Sequence, residues 1–220
     1  MVGSAFKRAA PNQEFYLVGS GQCDLRDASK TAEMFRWLRP DAVIHLAARV
    51  GGIKSNMDNI GSFYYDNILI NTNVIEAARV SDVKKVVSLL STCVYPDSTT
   101  YPLVEENVQN GEPHSSNFGY AYAKRMLDVQ TRAYRKQYGC NFITAIPNNL
   151  FGENDNYHLE DSHVIPAIIH KMHLAPSGDP VVLWGDGSPL REFTYSHDLA
   201  KILLFLLEKY DKPEPINIGN

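Results

Sequence analysis

Tyr120 and Lys124 stand four residues apart in the run Tyr120-Ala121-Tyr122-Ala123-Lys124, the spacing that puts two side chains on one face of a helix. A phenol with its ordinary pKa of about 10 exchanges protons poorly at neutral pH. A neighbouring ammonium that favours the phenolate is one way to make a tyrosine a usable acid or base. Upstream, Ser91-Thr92-Cys93-Val94-Tyr95-Pro96 follows an apolar run at 85–90. Ligands of open parallel sheets gather at the carboxyl ends of the strands, so a hydroxyl there is placed to meet the same substrate. Each residue alone has a plainer reading: a packed tyrosine, a solvated lysine, a small core cysteine. Their order along the chain makes the set a candidate proton-transfer site. His158, His163, His170 and His173 suggest a metal, but His170-x-x-His173 is not an HExxH pair and no Cys or carboxylate completes a ligand set, so no metal is expected.

The elements that must hold these residues alternate. Short apolar runs at 15–18, 42–46, 85–90, 142–146, 181–183 and 216–218 have strand length, and several are continuous, as in strands covered on both faces. Between them Phe63, Asn67, Ile70, Val74 and Ala77 step at helical spacing, as do Tyr120, Ala123, Leu127, Tyr134 and Tyr138, and Leu199, Leu203, Leu206 and Tyr210. Alternating strands and helices predict an α/β fold with a doubly wound, mainly parallel sheet. Met1-Val2-Gly3-Ser4-Ala5-Phe6 reads as a helix with no strand before it, which predicts a sheet lacking its first strand. From 152 to 196 Gly and Pro accumulate, so this stretch reads as a substrate-binding segment after a sheet region at 1–151, with 197–220 returning as helix and strand.

The 220 residues are 44% apolar and 21% charged, an ordinary globular balance, with a net charge of −4. That charge argues against a general nucleic-acid or anionic-membrane binder, and no apolar run approaches the ~20 residues of a membrane span. Three well-separated cysteines, Cys23, Cys93 and Cys140, form no CxxC pair, which predicts free thiols and a cytoplasmic, reducing compartment.

A strand ending in Ser91 and followed by the Tyr120/Lys124 helix resembles the short-chain dehydrogenase/reductase superfamily, in its extended branch acting on nucleotide sugars. Val43-Ile44-His45-Leu46-Ala47-Ala48 is similar to the strand beside the nicotinamide cofactor in that branch. Val50-Gly51-Gly52-Ile53, Ser91-Thr92-Cys93-Val94-Tyr95-Pro96, Asn117-Phe118-Gly119-Tyr120, Ser162-His163-Val164-Ile165-Pro166 and the stretch from Trp184-Gly185 to Arg191-Glu192-Phe193 resemble the GDP-L-fucose synthases. These are the GDP-4-keto-6-deoxy-D-mannose 3,5-epimerase-4-reductases, and the likeness runs through essentially the whole chain. The family's opening strand and earlier glycines have no counterpart before Met1-Val2-Gly3-Ser4-Ala5, and its C-terminal substrate segment has none after 217–219. The chain is therefore expected to be truncated at both ends, with an incomplete Rossmann-type domain.

The resemblance implies an NADP(H) cofactor, a GDP-sugar substrate and a homodimer formed as a four-helix bundle by the helices near 62–80 and 118–138. It assigns ketone reduction to Ser91, Tyr120 and Lys124, and the epimerisations to Cys93 and His163. A thiol near ~8.5 and an imidazole near ~6.5 suit proton exchange around neutral pH. It places Val2, Gly3, Leu89, Leu90, Ser91, Thr92, Lys124, Pro147, Asn148, Asn149, Leu150 and His163 beside the cofactor, Asn148 departing from the family's usual Thr. Lys171, Trp184 and Arg191 fall where the family contacts the GDP-sugar. The segment after 15–18, Gly19-Ser20-Gly21, carries no acidic residue at the strand end, which favours NADP over NAD. Other nucleotide-sugar epimerases or dehydratases of the same branch, and an inactive fragment, are the alternatives.

Overall fold

The computed structural model describes residues 1–183 and 185–219. Its central strands are Ala42–His45 (β1), Lys85–Leu89 (β2), Phe142–Pro147 (β3) and Ile216–Ile218 (β6), all parallel and ordered β1-β2-β3-β6. Every residue of β2 and β3 is buried, because both faces of these strands are covered. Val86, Phe142 and Ile146 face one way and pack with Phe35, Val74, Ile75, Ala78 and Leu127, which come from Ala28–Leu38 (α2), Ile60–Val80 (α4) and Phe118–Tyr138 (α5). Val87, Leu89, Ile143 and Ala145 face the other way onto Ala5 and Phe6 of Val2–Ala9 (α1) and Leu199, Leu203 and Leu206 of Ser196–Lys209 (α7). The result is the three-layered, doubly wound sheet expected from the alternating pattern.

Local chemistry sets the helix ends. The Asp27 carboxylate accepts from the Ser29 and Lys30 amides and so caps α2. α5 stops at Gly139, which takes up the left-handed conformation at φ 71° and donates its amide to the Arg135 carbonyl at 3.0 Å. α4 and α5 lie side by side, and at Gly119 a Cβ would fall 2.5 Å from the Ile60 carbonyl oxygen. Two short helices, Ile53–Asp58 (α3) and Val164–Leu174 (α6), complete the set.

Two expected strands do not form. Residues 15–18 are irregular: Tyr16, Leu17 and Val18 are exposed, and Phe15 alone packs inward, its ring 5.5 Å from Phe6. Residues 181–183 are likewise irregular, with Val182 exposed. The pairing outside the main sheet occurs instead between Asn149–Phe151 (β4) and Phe193–Tyr195 (β5), a parallel two-stranded ladder joining residues more than 40 apart. Gly152, directly after β4, has φ +156°, and a Cβ there would fall 2.1 Å from the Ser196 hydroxyl at the start of α7, so only glycine lets the chain pass.

Candidate active site

The carboxyl end of β2 and the first turns of α5 converge. Lys124, 2% exposed, donates its ammonium to the Leu89 carbonyl at 2.7 Å, pinning α5 to the last residue of β2. The same ammonium lies 5.8 Å from the centre of the Tyr120 ring. Beyond Leu90 the chain makes a tight turn at Thr92–Val94, capped by Ser91, whose hydroxyl accepts from the Cys93 amide at 3.5 Å. Ser91, Cys93, Tyr120 and Lys124, named from spacing and resemblance, thus meet in one place.

Burial governs their proton affinities. It pushes the Cys93 thiol up to about 11, against the opposing pull of the Ser91 hydroxyl and the charges of Lys124 and Arg125. It lowers Lys124 to about 8, with a Cys93 thiolate acting in the other direction. The Tyr120 phenol is raised, again by burial first and by Cys93 second. The sequence pattern predicted a phenol lowered by its lysine. Removal from water outweighs that attraction here, because the Lys124 ammonium is directed to a carbonyl of β2 and the ring is itself desolvated.

Three residues that sequence reasoning did not single out complete the interior. The Arg125 guanidinium, 2% exposed, donates to the Val94 carbonyl (2.7 Å) and to the Gly111 carbonyl (2.7 Å), and stacks over Tyr122 at 5.3 Å. His45, at the end of β1, donates from Nε2 to the Asn71 side-chain oxygen at 3.0 Å, the orientation fixed because the Asn71 amide nitrogen donates to the Ala123 carbonyl at 3.3 Å. Burial holds His45 neutral, its pKa lowered to about 3, with the nearby Lys124 charge second and the Asn71 bond opposing. The signal for Asn71 was present: a polar residue on the face of α4 that the apolar spacing of Asn67, Ile70 and Val74 turns toward the core.

The proposed cofactor-side residues line the other strand ends. Val2 and Gly3 begin α1, and Val2 packs against the Leu89 cluster. Pro147 ends β3. Asn148 donates its backbone N–H to the Ile218 carbonyl at 3.0 Å and its amide nitrogen to Glu192 at 3.3 Å, while its side-chain oxygen is buried with no partner among the described residues. Asn149 bonds the Glu192 carbonyl at 3.0 Å, and Leu150 packs into the sheet interior.

The remaining candidates lie on the more exposed stretch that follows β4. His163 is exposed at the N-terminus of α6, and among the described residues no hydrogen bond joins it to Cys93 or Tyr120. The preceding loop is tied back by the Gly52 amide, which donates to the Asp161 carbonyl at 3.1 Å. Lys171 donates to the Val182 carbonyl at 3.0 Å, and exposed Arg191 donates to the Leu190 carbonyl at 2.9 Å. Trp184 lies outside the described residues. His170 donates from Nδ1 to the Tyr157 carbonyl at 2.6 Å.

Residues 3–219 match the model of the NAD dependent epimerase/dehydratase family. A GDP-L-fucose synthase of Dictyostelium discoideum is 48% identical over 206 residues, 93% of this chain and 64% of that protein. A probable GDP-L-fucose synthase of Drosophila melanogaster is 45% identical, over 98% of this chain and 71% of its own length. The crystal structure of a GDP-L-fucose synthetase from Naegleria fowleri, bound to NADP, superposes with a TM-score of 0.93 at 42% identity, covering all of this chain and 73% of that one. The chain thus spans about two thirds of the curated relatives it matches. With its Ser/Tyr/Lys constellation at the end of a parallel strand, this chain belongs to the NAD dependent epimerase/dehydratase family and, within it, to the GDP-L-fucose synthases.

Proposed function

We propose that the chain carries the chemistry of GDP-L-fucose formation, the NADP(H)-dependent conversion of GDP-4-keto-6-deoxy-D-mannose by 3,5-epimerisation and then reduction of the 4-ketone. The observation that carries this reading is the meeting of two proton-exchange chemistries in one interior: a Ser91/Tyr120/Lys124 set and, two residues from Ser91, the Cys93 thiol. A simple 4-epimerase has no use for the second.

The residues present fit a nicotinamide cofactor. The orphaned Asn148 side-chain oxygen offers a buried acceptor for an amide donor at the end of β3, and Lys124 is the buried cation of the constellation at the end of β2. Leu89 to Thr92, Pro147 to Leu150, Val2, Gly3 and His163 would hold it. When bound, NADPH supplies the hydride that reduces C4.

The chain's own residues do the rest. The C4 carbonyl makes the hydrogens on C3 and C5 acidic. At each of the two carbons His163 takes the proton as base and Cys93, a thiol at neutral pH because burial raises it to about 11, returns one to the opposite face. The proton held by His163 then passes through solvent, and the thiolate is reprotonated before the next inversion. Between removal and return of a proton the negative charge rests on O4, where the Ser91 hydroxyl donates a hydrogen bond. In the reduction Tyr120 gives its proton to O4 as the C4–O double bond becomes single, and the Lys124 ammonium stabilises the phenolate left behind. Lys171, Arg191 and Trp184 are assigned to the GDP moiety, cations suiting a diphosphate.

A homodimer through α4 and α5 is part of the proposal. It is supported by large apolar side chains left exposed on these two helices: Tyr64 and Tyr65 on α4, and Phe118, Met126 and Val129 on α5. Cytoplasmic residence is supported by three cysteines that are all free. No helix of the described residues is long and apolar enough to cross a membrane.

The test is incubation with GDP-4-keto-6-deoxymannose and NADPH in deuterated water. Expected are deuterium at C3 and C5 of the sugar and stoichiometric loss of NADPH absorbance. Tyr120→Phe stops the absorbance change while deuterium still enters; Cys93→Ala does the reverse to the exchange. If the folded chain shows neither exchange nor oxidation, the proposal is overturned.

A further inference from the structure

We infer that Arg125 is a positioning residue for Cys93: its guanidinium straps the turn bearing the thiol onto the helix bearing Tyr120 and Lys124, so that the two chemistries keep a fixed separation. The observation is geometric. A buried arginine is costly unless its donors are met; here two of its nitrogens meet backbone carbonyls from two different loops, while Nη2 is buried with no hydrogen-bond partner among the described residues. Nε donates to Val94, the residue after Cys93, and Nη1 to Gly111, in the loop leading to α5, each at 2.7 Å. The rigid fork of a guanidinium reaches two carbonyls at once in a way an ammonium does not. The stack on Tyr122 fixes its remaining freedom.

On its C-terminal side the turn is anchored by Val94 and Tyr95, both packed in the core, with the Tyr95 hydroxyl donating to the Asn217 side-chain oxygen at 2.7 Å; on the side facing α5, Arg125 makes the side-chain bond to it. The turn's internal bonds are Val94 N–H to Ser91 O (3.0 Å), Tyr95 N–H to Thr92 O (3.1 Å) and the long 3.5 Å cap from Cys93 N–H to Ser91. Short helices of this type are weakly self-supporting. Lys124, the neighbouring residue, pins α5 to Leu89 on the strand side, and Arg125 pins it to Val94 on the far side of the turn. The segment 90–93 is thereby clamped at both ends by consecutive residues of one helix. The groups acting on the thiol are the Ser91 hydroxyl from its own turn and Lys124 and Arg125 from α5; Tyr120 on the same helix is in turn acted on by Cys93.

The role of the thiol rests on the proposed function; the strap does not, and its test reads the thiol without turnover. Iodoacetamide is reacted with the folded chain from pH 6 to 10, and Cys93, Cys23 and Cys140 are quantified separately by peptide mass spectrometry. In Arg125→Met the turn opens to water. Cys93 then alkylates at least about tenfold faster at pH 8, and its rate levels off within the range toward the ordinary thiol value where the wild-type rate is still climbing at pH 10, with Cys23 and Cys140 unchanged. Arg125→Lys, which keeps the charge and one carbonyl bond, gives an intermediate rate. An unchanged Cys93 profile in Arg125→Met overturns the strap, and so does a slower reaction, which would mean the arginine acts by charge alone. If Arg125→Met fails to fold, all three thiols react at the unfolded rate and Arg125→Lys decides: a wild-type profile there overturns the inference, and a faster one supports it. Failure to make GDP-L-fucose with the Cys93 result intact leaves the strap standing and removes the proposed function.

Discussion

Lys124 and Arg125 are held in the packed interior by helix geometry and by bonds to carbonyls of separate elements, with half-buried Tyr120 one turn away, whereas His163, Lys171 and Arg191 lie along an exposed stretch whose bonds are mostly local. Lys124 and Arg125 reach across 35 and 31 residues to find Leu89 and Val94. Arg191 bonds the carbonyl of the residue before it. The interior half is preorganised by the same packing that stabilises the sheet, so its geometry is inseparable from folding. The outer half can change without cost to the core, as suits residues that must admit and release a large substrate.

The sharpest way to break this contrast is chemical. Tyr120→Phe removes a proton donor that no neighbour replaces and should lower NADPH oxidation with the keto sugar by about 10²–10⁴-fold. A loss under tenfold, measured by the 340 nm absorbance, would take Tyr120 out of the reaction. Next in size is the core itself. Phe142 is fully buried in β3, and Phe142→Ala should cost about 3–5 kcal/mol in urea unfolding. Val182→Ala, in the outer stretch with 73% of its surface exposed, should cost no more than about 0.5 kcal/mol. Equal costs would erase the distinction between the two regions.

His45 gives a third measure, read against pH. Burial keeps it neutral in the folded chain down to about 3, while the unfolded chain binds its proton near ~6.5. Across that window the unfolded state holds more protons, so stability falls as pH drops, by up to about 1.4 kcal/mol per unit from this one group. His45→Gln, which can still donate to Asn71, should flatten the fall of the urea midpoint between pH 6.5 and 4 by about one proton. A slope identical to wild type would show that His45 is not held neutral.

What the sequence disclosed follows the same division. Residues 85–90 and 142–146 read as strands because covered parallel strands are continuous apolar runs, and Tyr120, Lys124, Ser91 and Cys93 stood out by spacing and order. Residues 15–18 carry a similar apolar run yet stay irregular, for only Phe15 finds a ring to pack against. The β4–β5 ladder escaped notice because each strand has three residues, and their pairing is decided by a contact across the whole outer stretch. Arg125 looks in sequence like any surface charge on a helix. Its burial depends on carbonyls that fold back from Val94 and Gly111, and nothing local to residue 125 announces them.

The smallest effect expected is also the most discriminating for the outer half. Arg191 is exposed and bonds its own neighbour's carbonyl, so Arg191→Gln should leave the urea midpoint within about 0.5 kcal/mol of wild type. If its guanidinium meets the diphosphate, the same variant raises KM for the GDP-sugar about tenfold with kcat nearly constant, because the diphosphate is bound alike in ground and transition states. A fall in kcat at constant KM would instead place Arg191 against the reacting sugar. A measurable loss of stability would mean that the outer stretch is packed more tightly than its exposure indicates, and the contrast with the interior would narrow accordingly.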